Sequence, residues 1–536
     1  MEYPGIIYGL IPALTISFAF ITPMIGLFIK NRRFFMIYMT LILAIVASLA
    51  GVIAIDIFGS LKVTLYPFGG WPPPVGISYI IDRLNASLAF VASIVILLSV
   101  IASTSYLDKY KHSTISYIYT AVLGFTAGVM GSLYTGDIFN LFVMMEVMCI
   151  SLYVMVSFHR TKAEAVEATI KYSLISIVAL ALYFLSTILI YGSYQTLNMA
   201  DLAIKSRPNV FGDLLPKLIS QDYYADIFVS TTIAIAIIIW VFTLESALFP
   251  NHFWLPDAIS EAPTPVSSML PVAEMVSVYA IIRYLFTIFG SDSILAQNMV
   301  RTAILIILLI LGLIASVVGS IMMAMQRDAK RLLGYSSISH VGFIYTAIGL
   351  TAFSQNILLP LTAALFHTIN YVMTSSQLFL AIGSLEKTTG TRDLDVLKGL
   401  GRHNPIVATS IVIGVLNLVG LPPLGGFFSK LMIYQAALEL SQPVVALIVI
   451  IATAISIMGY VKLLLIALGS RITETKVKEI YRFSIPSIIL AIVTILLGIL
   501  LPLGLYEVIN EIARTSYDYG DYIRVFITYM QSLWPR

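Results

Sequence analysis

Carboxyl groups occur inside stretches of the chain that are otherwise apolar. Glu245 lies near the end of the apolar stretch 227–248, and Glu146 lies in the middle of another, with no charged residue within one helical turn. A carboxylate in hydrocarbon costs on the order of 2.5–3.5 kcal/mol on insertion scales, so each residue indicates a functional group that faces a polar interior. A carboxyl group that takes up and releases a proton in such a place suits a proton relay.

Histidine and lysine side chains recur in the same kind of apolar stretch. His340 and His367 carry a group that titrates near physiological pH. Lys430 follows Pro422-Pro423 and Gly425-Gly426, and such interruptions are tolerated at membrane depth only where they line protein or a water-filled cavity. Ionisable groups spread over several helices of one bundle favour a proton path in the membrane plane. The candidate path residues are Glu146, Lys171, Glu245, Glu274, His340, His367 and Lys430.

Some of these basic residues also have a simpler explanation. Lys171, Arg283 and Lys462 lie near the ends of their apolar stretches, where a long basic side chain reaches the lipid headgroups. That explanation is favoured for Arg283 and Lys462, whereas Lys171 fits both a headgroup position and the proton path. His340 and His367 each also fit an ordinary buried hydrogen-bonding residue.

The composition sets the class of protein that must position these groups. The 536 residues are 59% hydrophobic and 11% charged, and their mean hydropathy is +0.94, which is typical of a polytopic membrane protein. Apolar runs of about 20 residues, each long enough to cross a hydrocarbon core of about 30 Å, predict an all-α protein with fourteen spans. The predicted spans are 5–29, 34–57, 79–105, 115–133, 136–158, 167–192, 226–248, 262–289, 300–324, 332–351, 355–385, 405–438, 443–469 and 483–505.

The loops between the spans predict the orientation of the chain. No soluble domain fits between the spans, so residues 1–536 are predicted to form one transmembrane domain. The first span lacks the basic start and the cleavage site of a signal peptide, and Met1 is therefore expected to be the mature start. Eighteen Lys and Arg residues lie in the loops after spans 1, 3, 5, 9, 11 and 13, against nine on the opposite face. Because cytoplasmic loops carry the excess of positive charge, both termini are predicted to face outward.

Four segments carry recognisable motifs: 137–146 (DIFNLFVMME), 252–267 (HFWLPDAISEAPTPVS), 326–340 (QRDAKRLLGYSSISH) and 390–394 (GTRDL). Together they resemble the antiporter-like membrane subunits shared by respiratory complex I, Mrp-type cation/proton antiporters (their D-type subunits in particular) and membrane-bound hydrogenase-type complexes. The resemblance runs from about residue 80 to about residue 470, and its motifs are highly specific.

The resemblance implies an architecture and a central row of charged residues. It implies fourteen helices with two inverted five-helix repeats, at about 115–290 and 300–469, flanked by 1–105 and 483–536, with the seventh and twelfth helices broken. Pro250 and Pro422-Pro423 fall at corresponding places in spans 7 and 12 and agree with this independently. The row that the resemblance implies consists of a glutamate in the fifth helix, a lysine in the sixth, a histidine in the tenth and a lysine in the twelfth. The matching residues of this sequence are Glu146, Lys171, His340 and Lys430.

Several positions depart from the family pattern. Glu245 stands where the family has a seventh-helix lysine, so the usual Glu–Lys pair becomes a Glu146–Glu245 pair. The eighth-helix lysine aligns with Met275 or, after a slip of one residue, with Glu274. In span 11, Tyr371 stands where histidine is common and Ser375 stands where lysine is usual. Two carboxylates close together in a poorly hydrated site can share a proton or hold a hard cation such as Na⁺.

These observations favour an antiporter-like subunit of a multisubunit energy-converting complex in a prokaryotic cell membrane, moving H⁺ alone or coupled to Na⁺. No metal, cofactor or nucleic acid is expected, because Cys149 is the sole cysteine and we find no nucleotide-binding glycine motif. The chain itself is expected to be non-catalytic, with any redox chemistry on partner membrane subunits of a hydrogenase-, sulfur-reductase-, complex I- or Mrp-type complex. The alternative is a degenerate protein that serves as a spacer or docking platform without pumping.

Overall fold

The computed structural model describes residues 5–211, 221–354, 356–470 and 478–533, without the side chains of 221–226. The expected start at Met1 and four basic residues used for the orientation, Lys217, Arg471, Lys476 and Arg536, lie outside the described residues.

The chain is built almost entirely of helices. Twelve helices of the described part are long and apolar enough to cross a membrane, namely α1 to α10, α14 and α15, several of them counted with short helical extensions. The α-helices of more than seven residues are α1 Ile7–Phe28, α2 Arg32–Ser60, α3 Arg83–Tyr106, α4 His112–Tyr134, α5 Ile138–Val156, α6 Ala163–Tyr194, α7 Gln221–Glu245, α8 Leu270–Ile282, α9 Val300–Met325, α10 Ala329–Leu350, α11 Leu358–Thr389, α12 Pro405–Val419, α13 Gly425–Glu439, α14 Pro443–Leu468, α15 Tyr481–Leu500, α16 Tyr506–Tyr517 and α17 Tyr519–Leu533.

Two of the fourteen predicted spans are not among these twelve helices. Predicted span 11 corresponds to α11, which has 32 residues but carries His367, Asn370 and many hydroxyl side chains. Every residue from Pro360 to Leu385 is buried, so this helix is surrounded by protein and can carry polar residues without exposing them to lipid. Predicted span 12 corresponds to two shorter helices, α12 and α13, of 15 residues each. The count of fourteen therefore stays a prediction.

Helix interruptions lie where the prolines predicted them. After α7 ends at Glu245, Ala247 has a positive φ of 54°, and helical structure returns at Asn251–Trp254 and Leu255–Glu261. Between α12 and α13, Gly420 has a φ of 93°, which favours glycine. Both breaks expose backbone groups inside the protein, which gives polar side chains partners at these depths.

Helices α9 and α10 approach each other closely through glycine. A Cβ atom on Gly312 would lie 2.6 Å from the backbone nitrogen of Thr346, and one on Gly342 would lie 2.4 Å from that of Ser316. Small residues at such crossings let two backbones meet, which is a common way for membrane helices to pack. The close crossing fixes α10, the helix that carries His340.

A β-hairpin that the all-α prediction did not foresee precedes α3. Strands β1 Thr64–Pro67 and β2 Ser78–Ile81 pair antiparallel, with Thr64 opposite Ile81. The predicted start of span 3 at residue 79 is wrong, because residues 79–81 are extended and α3 begins at Arg83. Asp82 caps this helix: its carboxylate accepts from the backbone of Asn85, whose side chain accepts from the backbone of Asp82.

The headgroup position expected for Arg283 is wrong. Its side chain is 1% exposed and its Nη2 lies 2.8 Å from Oδ2 of Asp82, which is fully buried. Helix α17 covers the pair, because the ring of Tyr522 lies 4.9 Å from the guanidinium group. A buried arginine needs such partners because an unpaired charge in a protein interior is strongly destabilising.

Candidate functional site

A buried hydrogen-bonded row crosses four helices of the second half of the chain. His340 on α10 is bonded through Nδ1 to Nε2 of His367 on α11 at 3.0 Å, and through Nε2 to the hydroxyl of Tyr460 on α14 at 2.9 Å. His367 Nδ1 is 2.8 Å from the hydroxyl of Ser429 on α13, and Tyr460 is 2.6 Å from Ser336. All five residues are at most 2% exposed. Each of these groups can both donate and accept, so the row can pass a proton along its length.

Lys430 lies beside this row, next to Ser429 in the chain. Its Nζ donates to the backbone carbonyls of Leu418 at 2.8 Å and Val419 at 3.3 Å, and it lies 5.0 Å from the centre of the Phe343 ring. Those carbonyls are at the end of α12, where the helix dipole and unpaired oxygens attract a cation. The broken helix thus holds the lysine, which is 2% exposed, in the interior.

Glu274 joins the row through Tyr371. The Tyr371 hydroxyl donates to Oε2 of Glu274 at 2.6 Å, and its ring stacks on that of His340 with centroids 5.5 Å apart. The other oxygen, Oε1, is buried and has no hydrogen-bond partner among the residues that the structure describes. A buried acceptor without a partner costs about 1–3 kcal/mol, so this oxygen marks a place where a proton or a cation would be stabilised.

Glu245 is held at the end of α7 by side chains from two other helices. The Ser176 hydroxyl on α6 donates to Oε1, and the Cys149 thiol on α5 donates to Oε2 at 3.6 Å. The following residue, Ser246, shares a hydrogen bond of 2.8 Å with Tyr345 on α10. The broken end of α7 therefore contacts the helix that carries His340.

Glu146 comes close to Glu245 without bonding to it. Residues three apart on a helix share a face, so Glu146 lies beside Cys149, which binds Glu245. Glu146 is partly buried, and within the described ranges it makes no hydrogen bond or ion pair. Of the two carboxyl groups predicted to pair, only Glu245 is hydrogen-bonded to the Cys149 thiol.

Lys171 lies apart from the buried row. Its side chain is 41% exposed, and its Nζ pairs with Glu167 at 2.6 Å and Asp257 at 3.0 Å. Asp257 also pairs with Arg331 at 2.8 Å, so this network ties α6 to α10 through the short helix Leu255–Glu261. The structure does not bring Lys171 together with the other candidate residues.

Several polar residues of the site were missed from the sequence. Lys330, placed in a loop, belongs to α10 and is 1% exposed, with Nζ donating to the carbonyl of Ala262 at 2.5 Å. Ser176 bonds Glu245, Tyr345 bonds Ser246, and Tyr460 bonds His340, each from another helix. Their types are common in membrane helices, so only the contacts reveal them. Across the described part of the chain, no group of three His, Cys, Asp or Glu side chains could hold a metal ion.

Comparison with known proteins places the chain in a family. The family described as NADH:quinone oxidoreductase/Mrp antiporter, TM, matches residues 135–456. The chain belongs to this family. The resemblance drawn from the motifs is thereby confirmed, and the matched segment contains all seven candidate path residues.

Relatives and solved structures that are similar to this chain agree with its family. The D subunit of a Na(+)/H(+) antiporter from Alkalihalophilus pseudofirmus is 30% identical over 83% of this chain and 85% of that protein. The N subunit of an NADH-quinone oxidoreductase from Desulforudis audaxviator is 30% identical over 73% of this chain and 72% of that protein.

Solved structures share the fold. A chain of the membrane-bound sulfane sulfur reductase, an archaeal respiratory membrane complex, superposes with a TM-score of 0.84 at 25% identity, over 97% of this chain and 100% of that chain. A chain of the Mrp complex from Dietzia sp. DQ12-45-1b has a TM-score of 0.81 at 22% identity over 97% and 99%, which shows the shared fold. The chain is a multi-pass membrane protein.

Proposed function

We propose that the chain is an antiporter-like subunit of an energy-converting membrane complex in a prokaryotic cell membrane and that it translocates H⁺. The observation that carries this proposal is the buried row from Ser429 through His367 and His340 to Tyr460. Ionisable groups inside a membrane bundle are rare and mark ion pathways. The side chains of this row can each donate or accept a hydrogen bond, and they lie beside Lys430. This arrangement favours proton transfer over a purely structural role in helix packing.

Partner subunits are part of the proposal. The relatives named above are subunits of antiporter and oxidoreductase assemblies, and the superposed chain comes from a respiratory membrane complex. We expect this chain to pack on other membrane subunits and the redox chemistry, if coupled, to take place on them. Co-purification of the chain with its neighbours would identify the parent complex.

The proposal also includes the architecture of the chain. We propose fourteen spans, in which α11 and the broken pair α12–α13 complete the twelve apolar helices, and two inverted repeats at about 115–290 and 300–469. The interruptions after Glu245 and Val419 support the proposal that the seventh and twelfth spans are broken at corresponding places in the two repeats. The excess of Lys and Arg in the loops after odd-numbered spans supports termini on the outer face.

The path has two parts that meet at α10. On the side of the second half, a proton moves between Lys430 and Tyr460 through the two histidines. Glu274 lies beside it, because the Tyr371 hydroxyl bonds the carboxyl group while the Tyr371 ring stacks on His340; a water molecule would carry the proton from this hydroxyl to the row. On the side of the first half, Glu146 and Glu245 lead to Ser246 and Tyr345. Water between these groups completes the hops, as in other intramembrane relays.

The first half is altered by Glu245. In place of a Glu–Lys pair, two neighbouring carboxyl groups share one proton or hold Na⁺ together with the Ser176 hydroxyl, since oxygen ligands suit hard cations. The change Glu245→Lys is expected to restore the usual arrangement, so that any sodium dependence of transport is lost while proton movement is kept. Initial transport rates in vesicles with and without Na⁺ measure this. Wild-type sodium dependence in the variant would show that Glu245 holds no cation.

The competing function is a spacer or docking platform that does not pump. The expected loss of a histidine at Tyr371 and of a lysine at Ser375 favours it, whereas the intact row argues against it. The parent complex reconstituted in vesicles separates the two. We expect Glu146→Gln and His340→Gln each to lower the rate of ion pumping by at least about tenfold, because each removes a proton-transfer group. The exposed Lys62→Gln is the control, and wild-type pumping in both path variants would establish the platform.

A further inference from the structure

A polar cavity of about 370 Å³ lies at one end of the bundle, where the ends of α3, α5 and α11 meet the start of α6. It is separate from the buried row and from the carboxyl groups of the first half. Its lining includes Tyr106, Lys109, His159, Lys162, Lys387 and Arg392. Because helix ends surround it, the cavity lies at a membrane surface rather than in the hydrocarbon.

The acidic groups of this cavity are already neutralised. Glu261 pairs with Nη2 of Arg392 at 2.9 Å. Partial burial raises the pKa of Glu261, but the hydrogen bond and the charge of Arg392 outweigh burial and keep that pKa below its usual range. Glu386 accepts from the Thr264 hydroxyl and lies 3.9 Å from Lys330. Neither carboxylate is free to pair with the other cations of the cavity.

Three lysines supply positive charge without an acidic partner. Throughout the described ranges, Lys109 and Lys162 have no carboxylate within ion-pair distance, and Lys387 donates to the backbone carbonyl of Ser105. Unpaired ammonium groups around one cavity attract an anion. With both acidic residues already paired, the cavity therefore carries an excess of positive charge.

Aromatic side chains mark the depth of the cavity in the membrane. The ring of Phe158 packs edge-on to that of Tyr110 at 4.9 Å, and the hydroxyl of Tyr106 is 2.6 Å from Nε2 of His159. Aromatic residues with polar tips gather at the level of the lipid headgroups. Basic pockets between membrane helices at that level bind phosphate-bearing headgroups.

We infer that this cavity binds a phosphate group, with Lys109, Lys162 and Lys387 as its cationic ligands, and that the group belongs to an anionic phospholipid. The phosphate of the lipid would occupy the polar end of the cavity, and the rings of Tyr106, Tyr110 and Phe158 would contact the acyl chains of the lipid. Binding at this site does not depend on ion transport, so a test of this site is independent of the test of the proposed function.

Native mass spectrometry of the intact complex, taken from vesicles of phosphatidylglycerol and phosphatidylcholine, tests the site. At about 1 kcal/mol per lysine, the double variant Lys109→Gln/Lys162→Gln is expected to retain roughly thirtyfold less phosphatidylglycerol than wild type. The double variant Lys30→Gln/Lys398→Gln removes the same charge outside the cavity and is expected to retain the lipid. Equal retention in both double variants would overturn the lipid assignment.

A second arm distinguishes a lipid from a free anion. The delipidated complex is titrated with inorganic phosphate, and binding is followed for wild type and for Lys109→Gln/Lys162→Gln. If wild type binds inorganic phosphate and the cavity variant does not, the three lysines form a phosphate site whose ligand is a free anion. If neither phosphatidylglycerol nor phosphate depends on these lysines, the cavity is not a phosphate site and the inference fails.

Discussion

Tyr371 shows how one side chain can connect two kinds of ionisable group. Its hydroxyl donates to Glu274 while its ring lies almost parallel to His340, with an interplanar angle of 13°. The family pattern inferred from the sequence predicts a histidine at this position, where the chain has a hydroxyl group instead. Glu274 depends on this bond, because its second oxygen has no partner in the described structure.

The change Tyr371→Phe separates the bond from the ring contact. Phenylalanine keeps the stacking on His340 and removes the donor to Glu274, which leaves the carboxyl group without a hydrogen bond. We expect a loss of about 1–3 kcal/mol in stability and a marked fall in the rate of proton transport. Thermal midpoint and transport rate in vesicles measure the two effects. Tyr434→Phe, outside the row, is the control, and a Tyr371→Phe complex as active as wild type would exclude Glu274 from the path.

The ionisable residues of the site could be predicted from the sequence, but their partners could not. Glu146, Glu274 and Lys430 stand out because a charge is costly in an apolar stretch. Ser176 and Cys149 do not, because hydroxyl and thiol groups are ordinary in membrane helices and only the packing of α5 and α6 on α7 brings them to Glu245. Lys330 was missed because it lies in a basic run that resembles a loop, although Asp328 caps the helix just before it.

At the scale of elements, α17 and the hairpin close the bundle around a buried ion pair. Asp82 follows β2 and caps α3, while Arg283 follows α8, and both are covered by Tyr522 of α17. The pair thus joins four separate elements, none of which the apolar runs alone would place together.

Removing one member of this pair is expected to be much worse than removing both charges. Arg283→Gln leaves the Asp82 carboxylate buried without its partner, which costs about 3–5 kcal/mol. The double variant Asp82→Asn/Arg283→Gln leaves no charge and is expected to recover part of that stability. The thermal midpoint of the assembled complex for both variants provides the comparison. Equal midpoints for the single and double variants would show that the pair does not couple these elements.

Helix positions were the easiest part of the fold to predict. Long apolar runs require helices in a bilayer, because every backbone group must find a partner within its own segment. The hairpin escaped prediction because residues 64–81 are short, rich in Pro and Gly and lie between two spans. Helix α11 was predicted although its polar residues lower its hydropathy. It can carry these residues because it is enclosed by other helices.

In the whole molecule, the contacts that join the two halves of the chain include the following three between side chains. Ser246 bonds Tyr345, Asp257 pairs with Arg331, and Glu274 accepts from Tyr371. Two of these lie next to or within the proposed path. The halves are therefore connected at the residues that would have to pass a proton between them.

The proposed proton path requires that Lys430 release and take up a proton inside this bundle. Arginine at position 430 keeps a positive charge for the carbonyls of Leu418 and Val419 but does not deprotonate in proteins. A purely structural lysine would therefore be replaced by arginine with little loss, whereas a transporting lysine would not.

The most direct test is the rate of ion pumping by the Lys430→Arg complex in vesicles, at matched amounts of assembled complex and with Lys62→Arg as control. We expect normal assembly and less than about a tenth of the wild-type pumping rate, because the proton-transfer group is lost. Pumping at the wild-type rate by Lys430→Arg would contradict it.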